Sequence, residues 1–359
     1  MNEAVDRTQA DDGRTIAGRR VGPGTPAFVI AEAGVNHNGS IESALSLADA
    51  ARRAGADAVK FQLFHSADLV GPSAPTADYQ RRRACETSQR AMLQRLELPA
   101  AAWAKIKTRC DRVGITFLAT PFGLRELEAL RNLGVPALKI ASTDLTNTPL
   151  IEAAIDAGLP TILSTGASTV EELRFAVDLF RRAGAMPRLI LLHCVSCYPT
   201  PPDRLNLAAV ATLRKTFGVP CGLSDHSTST QTGAWAVAAG AFVVEKHLTL
   251  DPALDGPDHA LSLNPEQFAE YVAQIRSCEQ TLGDGRLGMQ ELERNVRLTA
   301  SRSIVSSCDI PIGTVLTRDL LTLKRPGTGL GPTELSRLVG RRAATDIPAD
   351  TVFSWDMVT

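Results

Sequence analysis

The sequence is poor in the features that would assign it to a specialised class. No run of 18 apolar residues occurs in its 359 residues, so no segment reads as a membrane-spanning helix. An excess of one charge is also missing. The 38 basic and 39 acidic residues leave a net charge of -1, too little to direct the chain to nucleic acid or an anionic membrane. Aromatic residues are only 5% against 44% apolar overall, with alanine and leucine filling the share as in helix-rich α/β enzymes. Seven cysteines between positions 85 and 308 do not make the dense framework of a small secreted scaffold. Cys194 and Cys197 form one CxxC without a second, inside an apolar run, which predicts reduced structural thiols rather than a metal or redox pair. The first strand is not followed by GxGxxG, which removes the Rossmann reading. The N-terminal MNEAVDRTQADDGRT is polar and acidic, unlike a signal or transit peptide, and a cytosolic place is expected.

What is present is a repeat of short apolar strands and amphipathic helices. Strands are expected at 26–32, 57–62, 114–120, 137–142, 161–165, 188–194, 220–225 and 241–246. The intervening helices, such as IESALSLADAARRAG and TVEELRFAVDLFRRAG, end in glycine as a C-cap, with Ser40 and Ser168 as candidate N-caps. Eight strands alternating with crossover helices predict a (β/α)8 TIM barrel rather than an open sheet. Residues 1–25 read as a loose arm, 26–281 as the barrel and 282–299 as a linker. The insertion at 63–98 is long enough for a lid, and its RRR reads as a solvated face. Residues 300–359 change to short strands and turns, with DIPIGTVLT and DIPADTVFS echoing one another. That tail predicts a compact β-rich domain that would be marginal alone and is expected to pack against something.

His226 and His247, 21 residues apart, each close a strand-like run, GLSDH and FVVEKH. One βα unit is about that long, so adjacent parallel strands would bring both imidazoles to one barrel mouth as ligands of a divalent metal. Polar groups end the other strands too: Glu32, Lys60 with Gln62, Thr120, Lys139 with Ser142, Ser164 with Thr165, His193 with Ser196, and Ser224. Lysines inside apolar strands are costly without an anion, and Lys60 and Lys139 together ask for a small polyanion such as a phosphate with a neighbouring carboxylate. Two imidazoles and no cysteine ligand fit a Lewis-acid site with open positions rather than a closed structural zinc. Glu32 and Glu245 are the acid/base candidates, either of which could pair with a lysine instead. Asp225 is expected to orient the histidines. The turn Asn36–His37–Asn38–Gly39 is either a helix entry or a place for a hydroxyl-rich substrate.

The motifs AEAGVNHNG, DAVKFQ, LATPF, LKIAS, ILSTG, LLHC with YPTP, GLSDH and EKHLTLD with GPDH resemble, in order and spacing, the sialic acid synthase family. Residues 300–359, with KRPGTG, resemble its antifreeze-like (SAF, β-clip) domain. The resemblance implies condensation of phosphoenolpyruvate with open-chain N-acetylmannosamine or a 2,4-diacetamido-trideoxyhexose. Water adds at C2, phosphate leaves by C–O cleavage, and a nine-carbon 2-keto acid forms. It further implies that His226 and His247 hold manganese or magnesium. Lys60, Gln62, Thr120, Lys139, Ser142, Ser164 and Ser224 would surround phosphoenolpyruvate, with Ser196 beside the phosphate. Glu32 and Glu245 would sit near the sugar and the reacting water, and Tyr198 and Asp258 on the sugar side. Arg325 would be lent to the partner's site in a domain-swapped homodimer.

Three positions depart from the family pattern. Ser196 stands where asparagine is usual, Asp144 replaces a common glutamate, and SRSI replaces RRSL before the small domain. The phrase GPDHALSL leans toward the neuraminate and legionaminate branches and away from pseudaminate. A Schiff-base aldolase on the same barrel is the competing enzyme reading, and a glycan-binding or ice-like surface protein the competing non-enzyme one. Strand-end histidines oppose the first, and the charged KRPG and GRR of the tail oppose the second.

Overall fold

The structure, a computed structural model, describes residues 14–71, 74 and 88–359. Residues 72–73 and 75–87 of the expected lid, with the basic run at 81–83, lie outside them. Among the described residues no helix is long and apolar enough to cross a membrane. The chain divides into two compact units, Met1–Gly283 and Asp284–Thr359.

The first unit is a nearly closed eight-stranded parallel barrel, as the alternating pattern predicts. Its strands are β1 (Phe28–Gly34), β2 (Ala58–Leu63), β3 (Thr116–Pro121), β4 (Leu138–Ile140), β5 (Thr161–Ser164), β6 (Leu189–Cys194), β7 (Cys221–Asp225) and β8 (Val243–His247). Hydrogen bonds run in the order β3-β2-β1-β8-β7-β6-β5-β4, and β3 and β4 lie side by side where the ring closes. Helix ends follow local chemistry. Ser40 caps Ile41–Arg53 by accepting from Ser43 N–H at 3.2 Å. The helix Val170–Arg182 is capped by Thr169 rather than Ser168, because Glu172 sits three residues on and completes a reciprocal capping box. Gly114 and Gly218 close their helices in the left-handed conformation.

The period of two along each strand decides which residues reach the site. Outward positions, including Val29, Ala31, Val59, Phe61, Leu163, Leu191 and Val244, pack under the helices. Inward positions at the strand starts, Phe28, Ile30, Ala58, Leu118, Ile162, Ile190 and Val243, fill the barrel's lower half. Residues 14–25, expected as part of a loose arm, instead form a short hairpin, Thr15–Ile16 with Arg19–Arg20. Ile16 and Val21 join the inner cluster, and Arg19 pairs with Asp57, so the hairpin seals the barrel floor.

Gly222 points inward where β7 meets β8. A Cβ there would lie 1.9 Å from the Val243 carbonyl oxygen, so the ladder closes only because no side chain is present. Gly222→Ala is expected to destabilise the barrel by about 3 kcal/mol, read as a lower thermal midpoint; an unchanged midpoint would show that the strands part freely.

The second unit has one antiparallel pair, Ser303–Ser306 with Leu321–Lys324, and several single helical turns. Residues 284–299, read as a linker, group with this unit, and the helix Arg294–Ala300 meets it where Gly327 N–H donates to Leu298 O at 2.8 Å. The two echoing phrases pair with each other through an antiparallel bridge between Ile310 and Ile347. Their aspartates exchange equivalent bonds: Asp309 accepts from Ala349 N–H at 2.7 Å and Asp346 from Ile312 N–H at 2.8 Å. The repeat is thus a local two-fold around a core of Ile304, Leu316, Leu338 and Phe353.

Candidate functional site

The upper inward positions turn polar and open into a cavity of about 600 Å³ at the C-terminal mouth. Glu32, Lys60, Gln62, Thr120, Lys139 and Ser142 line it, as do Ser164, Ser196, Tyr198, Ser224, His226, Glu245, His247 and Asp258. Arg325 belongs to the second unit, where it is exposed.

Ladder register explains who meets whom. Glu32 is paired with Lys60 across β1 and β2, and their side chains form an ion pair at 2.5 Å. Glu245 is paired with Ser224 across β7 and β8, and Ser224 Oγ donates to Glu245 at 2.9 Å. Lys60 also donates to Thr120 Oγ1 at 3.0 Å and lies 3.7 Å from Glu245. Lys139 has a thinner set of partners: the Ile140 carbonyl at 3.1 Å and Glu245 at 3.8 Å. Ser164 Oγ is buried and meets no hydrogen-bond partner.

The two carboxyls are driven apart. Burial raises the Glu32 carboxyl above its ordinary value, and Lys60 offsets this only in part. Burial would raise Glu245 as well, but Lys139 and Lys60 outweigh it and hold that carboxyl low. A pair split in this way suits an acid and a base in one cavity. The lysines split too. Burial would lower Lys60, but Glu245 and Glu32 outweigh it and raise it. Burial leaves Lys139 below its usual value despite Glu245. Asp258, buried and facing Glu32, is pushed up to about 7.

The imidazoles of His226 and His247 meet edge-on with ring centroids 5.4 Å apart, and Tyr198 packs at a tilt against His226 at 4.2 Å. Nδ1 of His226 meets the Val195 carbonyl at 2.9 Å, so that nitrogen carries a proton; burial would lower the ring's pKa, but Cys194 and this carbonyl outweigh it and raise it. His247 is buried, and this, with the nearby positive groups, holds it well below its ordinary value and therefore neutral. Its Nδ1 is buried without a hydrogen-bond partner. A neutral His247 whose Nδ1 makes no hydrogen bond, beside His226, is a donor set that would suit a shared divalent ion.

Several strand-end groups do not reach the cavity, because alternate residues face the helices. His193 turns outward and bonds the Leu205 carbonyl at 2.8 Å. Asp225, expected to orient rather than ligate, faces out and pairs with Lys246 at 2.9 Å. The turn at 36–39 is structural: Asn36 donates to the Leu248 carbonyl and to Ser262 Oγ, each at 2.9 Å. Cys194 lines the cavity, whereas Cys197 is exposed, and both are free thiols. Asp144 reaches the rim and accepts from Asn147 at 2.9 Å. A second group able to hold a cation brings His65 and Asp68, after β2, to Glu126 in the helix after β3, where Arg125 also pairs with Asp68 at 3.6 Å.

One wall of the cavity was not read from the sequence. Val35, Phe64, Leu69, Met92, Leu96 and Phe122 form an apolar flank opposite the lysines. Most of it comes from the insertion, where the helix Gln89–Leu96 buries Met92 and Leu96. The apolar spacing of that helix was the available signal.

The NeuB family model matches residues 47–287 and the SAF domain model residues 301–359. The chain is 39% identical over 341 residues to the N,N'-diacetyllegionaminic acid synthase of Legionella pneumophila subsp. pneumophila, covering 94% of this chain and 96% of that protein. It is 36% identical to the enzyme of the same name from Campylobacter jejuni subsp. jejuni, covering 90% and 97%. Among solved structures, the N-acetylneuraminic acid (sialic acid) synthetase of Leptospira borgpetersenii serovar Hardjo-bovis in complex with citrate superposes with a TM-score of 0.72 at 36% identity, covering 79% of this chain and 94% of that one. With family models matching both units and similarity running along nearly the whole chain, the protein belongs to the NeuB family of sialic-acid-synthase-like enzymes and carries a C-terminal SAF domain.

Proposed function

We propose that this protein joins C3 of phosphoenolpyruvate to the aldehyde carbon of an N-acylated hexosamine. The balance is one C–C bond formed, water oxygen added at C2, the C2–O bond to phosphate broken, and a 2-keto acid released with inorganic phosphate. The observation that carries this reading is the pairing of two buried lysines with a histidine pair across one cavity. Lys60 and Lys139, with Thr120, Ser142 and Ser164, provide cations and hydroxyls for the phosphate and carboxylate of phosphoenolpyruvate. Glu32, whose carboxyl burial raises above its ordinary value and which shares its charge with Lys60, would exchange a proton with the aldehyde oxygen. Glu245, held ionised, is placed to take one from the water that attacks C2. A divalent ion on His226 and His247 would supply Lewis acidity toward the aldehyde. The resemblance assigns exposed Arg325 to the site of a second copy of the chain.

The acceptor favoured is a 2,4-diacetamido-2,4,6-trideoxyhexose over N-acetylmannosamine. Two relatives of this chain are named N,N'-diacetyllegionaminic acid synthases. The apolar flank of Val35, Phe64, Met92 and Phe122 also suits a deoxy methyl and acetamido methyls better than free hydroxyls. With phosphoenolpyruvate and Mn2+, phosphate release is expected only when sugar is added, with kcat/KM about tenfold higher for the diacetamido sugar. A preference for N-acetylmannosamine would overturn the acceptor, and no release with either sugar would overturn the synthase.

A further inference from the structure

On the outer face of the barrel, directly behind the histidines, lies a buried ion pair that no catalytic step uses. Asp225 precedes His226 and Lys246 precedes His247, so the alternation that aims the histidines inward aims this pair outward. Both side chains are fully buried, at 0% exposure. They sit against the helices Thr232–Ala238 and Pro265–Leu282, which contribute Thr232 and Tyr271.

The ammonium uses all three of its donors. Lys246 donates to Asp225 Oδ2 at 2.9 Å, to Ser227 Oγ at 3.2 Å and to the Ser227 carbonyl. Asp225 accepts in addition from Ser227 N–H at 2.8 Å, from the Tyr271 hydroxyl at 3.3 Å and from the Thr232 hydroxyl. The residues on both sides of His226 are therefore tied to one side chain next to His247. The ladder between the two strands ends at the register pair Lys246–Asp225. His226 lies one residue past the end of β7, so beyond that point side chains, not strand hydrogen bonds, hold the two segments together.

A buried ion pair seldom stabilises a fold more than apolar side chains of similar volume would. What it supplies that packing does not is a fixed distance and direction. Residues behind metal-binding histidines act in this way, and their loss costs about 10- to 100-fold in affinity. We propose that Asp225 and Lys246 are positioning residues whose pair locks the ends of β7 and β8 and sets the spacing at which His226 and His247 share a divalent cation. The inference rests on the metal reading given above.

The test is calorimetric titration of Mn2+ into the full-length chain, with phosphoenolpyruvate titrated separately. The double substitution Lys246→Met with Asp225→Asn removes both charges together. It is expected to raise the Mn2+ Kd about tenfold or more, while the thermal midpoint and the phosphoenolpyruvate Kd stay near those of the parent. Tyr271→Phe removes one donor to Asp225, keeps the ion pair, and should raise the Mn2+ Kd about threefold; it decides the matter if the double variant does not fold. Parental Mn2+ affinity in the folded variants would overturn the positioning role while the metal reading stands. His226→Ala separates the two ideas. If it binds Mn2+ as the parent does, or if the parent binds none, the metal reading fails and takes this inference with it.

Discussion

Replacing His226 and His247 together with alanine is expected to lower sugar-dependent phosphate release by at least about 10³-fold, the several kcal/mol that a Lewis acid contributes. The fold should survive. Both rings lie at the barrel mouth, above the apolar layer that holds the strands together. His247 brings to the fold a buried Nδ1 that makes no hydrogen bond, with Asp258 4.0 Å away, so its removal strands no donor or acceptor bonded to it. His226 gives up one bond to the Val195 carbonyl, about 1 kcal/mol. Phosphoenolpyruvate affinity should change little, because the lysines and hydroxyls proposed to hold it are untouched. The decisive pattern is lost Mn2+ binding and lost turnover with near-parental circular dichroism and phosphoenolpyruvate affinity. Turnover near the parental rate in the double variant would refute the metal role.

The barrel was legible because its strands and helices have different periods, and because glycine punctuates the helix ends. The floor was not. Thr15–Ile16 and Arg19–Arg20 are too short to show a period, and their two apolar anchors, Ile16 and Val21, stand among polar neighbours. Within the site, strand-end position alone found the cavity's polar lining, but it set His193 beside Ser196 without telling the two faces of the strand apart. A strand turns alternate residues away. Hence Ser224 and His226 enter the cavity and Asp225 does not, just as Glu245 and His247 enter and Lys246 does not. The apolar flank was hidden for a different reason. It depends on where an insertion folds back, and no periodicity in Gln89–Leu96 specifies which surface that helix covers.

Lys139→Met is expected to weaken phosphoenolpyruvate about 10²- to 10³-fold, the cost of removing one member of a buried charge pair, without lowering the thermal midpoint. The two effects share one cause. Lys139 is buried, its closest acceptor is the neighbouring Ile140 carbonyl, and Glu245 stands 3.8 Å away. Burial holds its ammonium below the ordinary value, which means that the fold disfavours the charged form. Replacing it by a neutral side chain of similar length removes that penalty. Glu245 keeps Lys60 at 3.7 Å and the Ser224 hydroxyl at 2.9 Å, so it is not stranded. Lys60 is the contrasting case. Its ion pair with Glu32 and its bond to Thr120 satisfy it in the free protein, and Glu245 and Glu32 hold its ammonium above the usual value. Lys60→Met should therefore cost stability as well as affinity, because it leaves Glu32 buried without its cation. Thermal melts and phosphoenolpyruvate titrations of the two variants separate the roles. A melting midpoint that falls as far in the Lys139 variant as in the Lys60 variant would show that Lys139 serves the fold, and that its weak partnering is not a place kept for the anion.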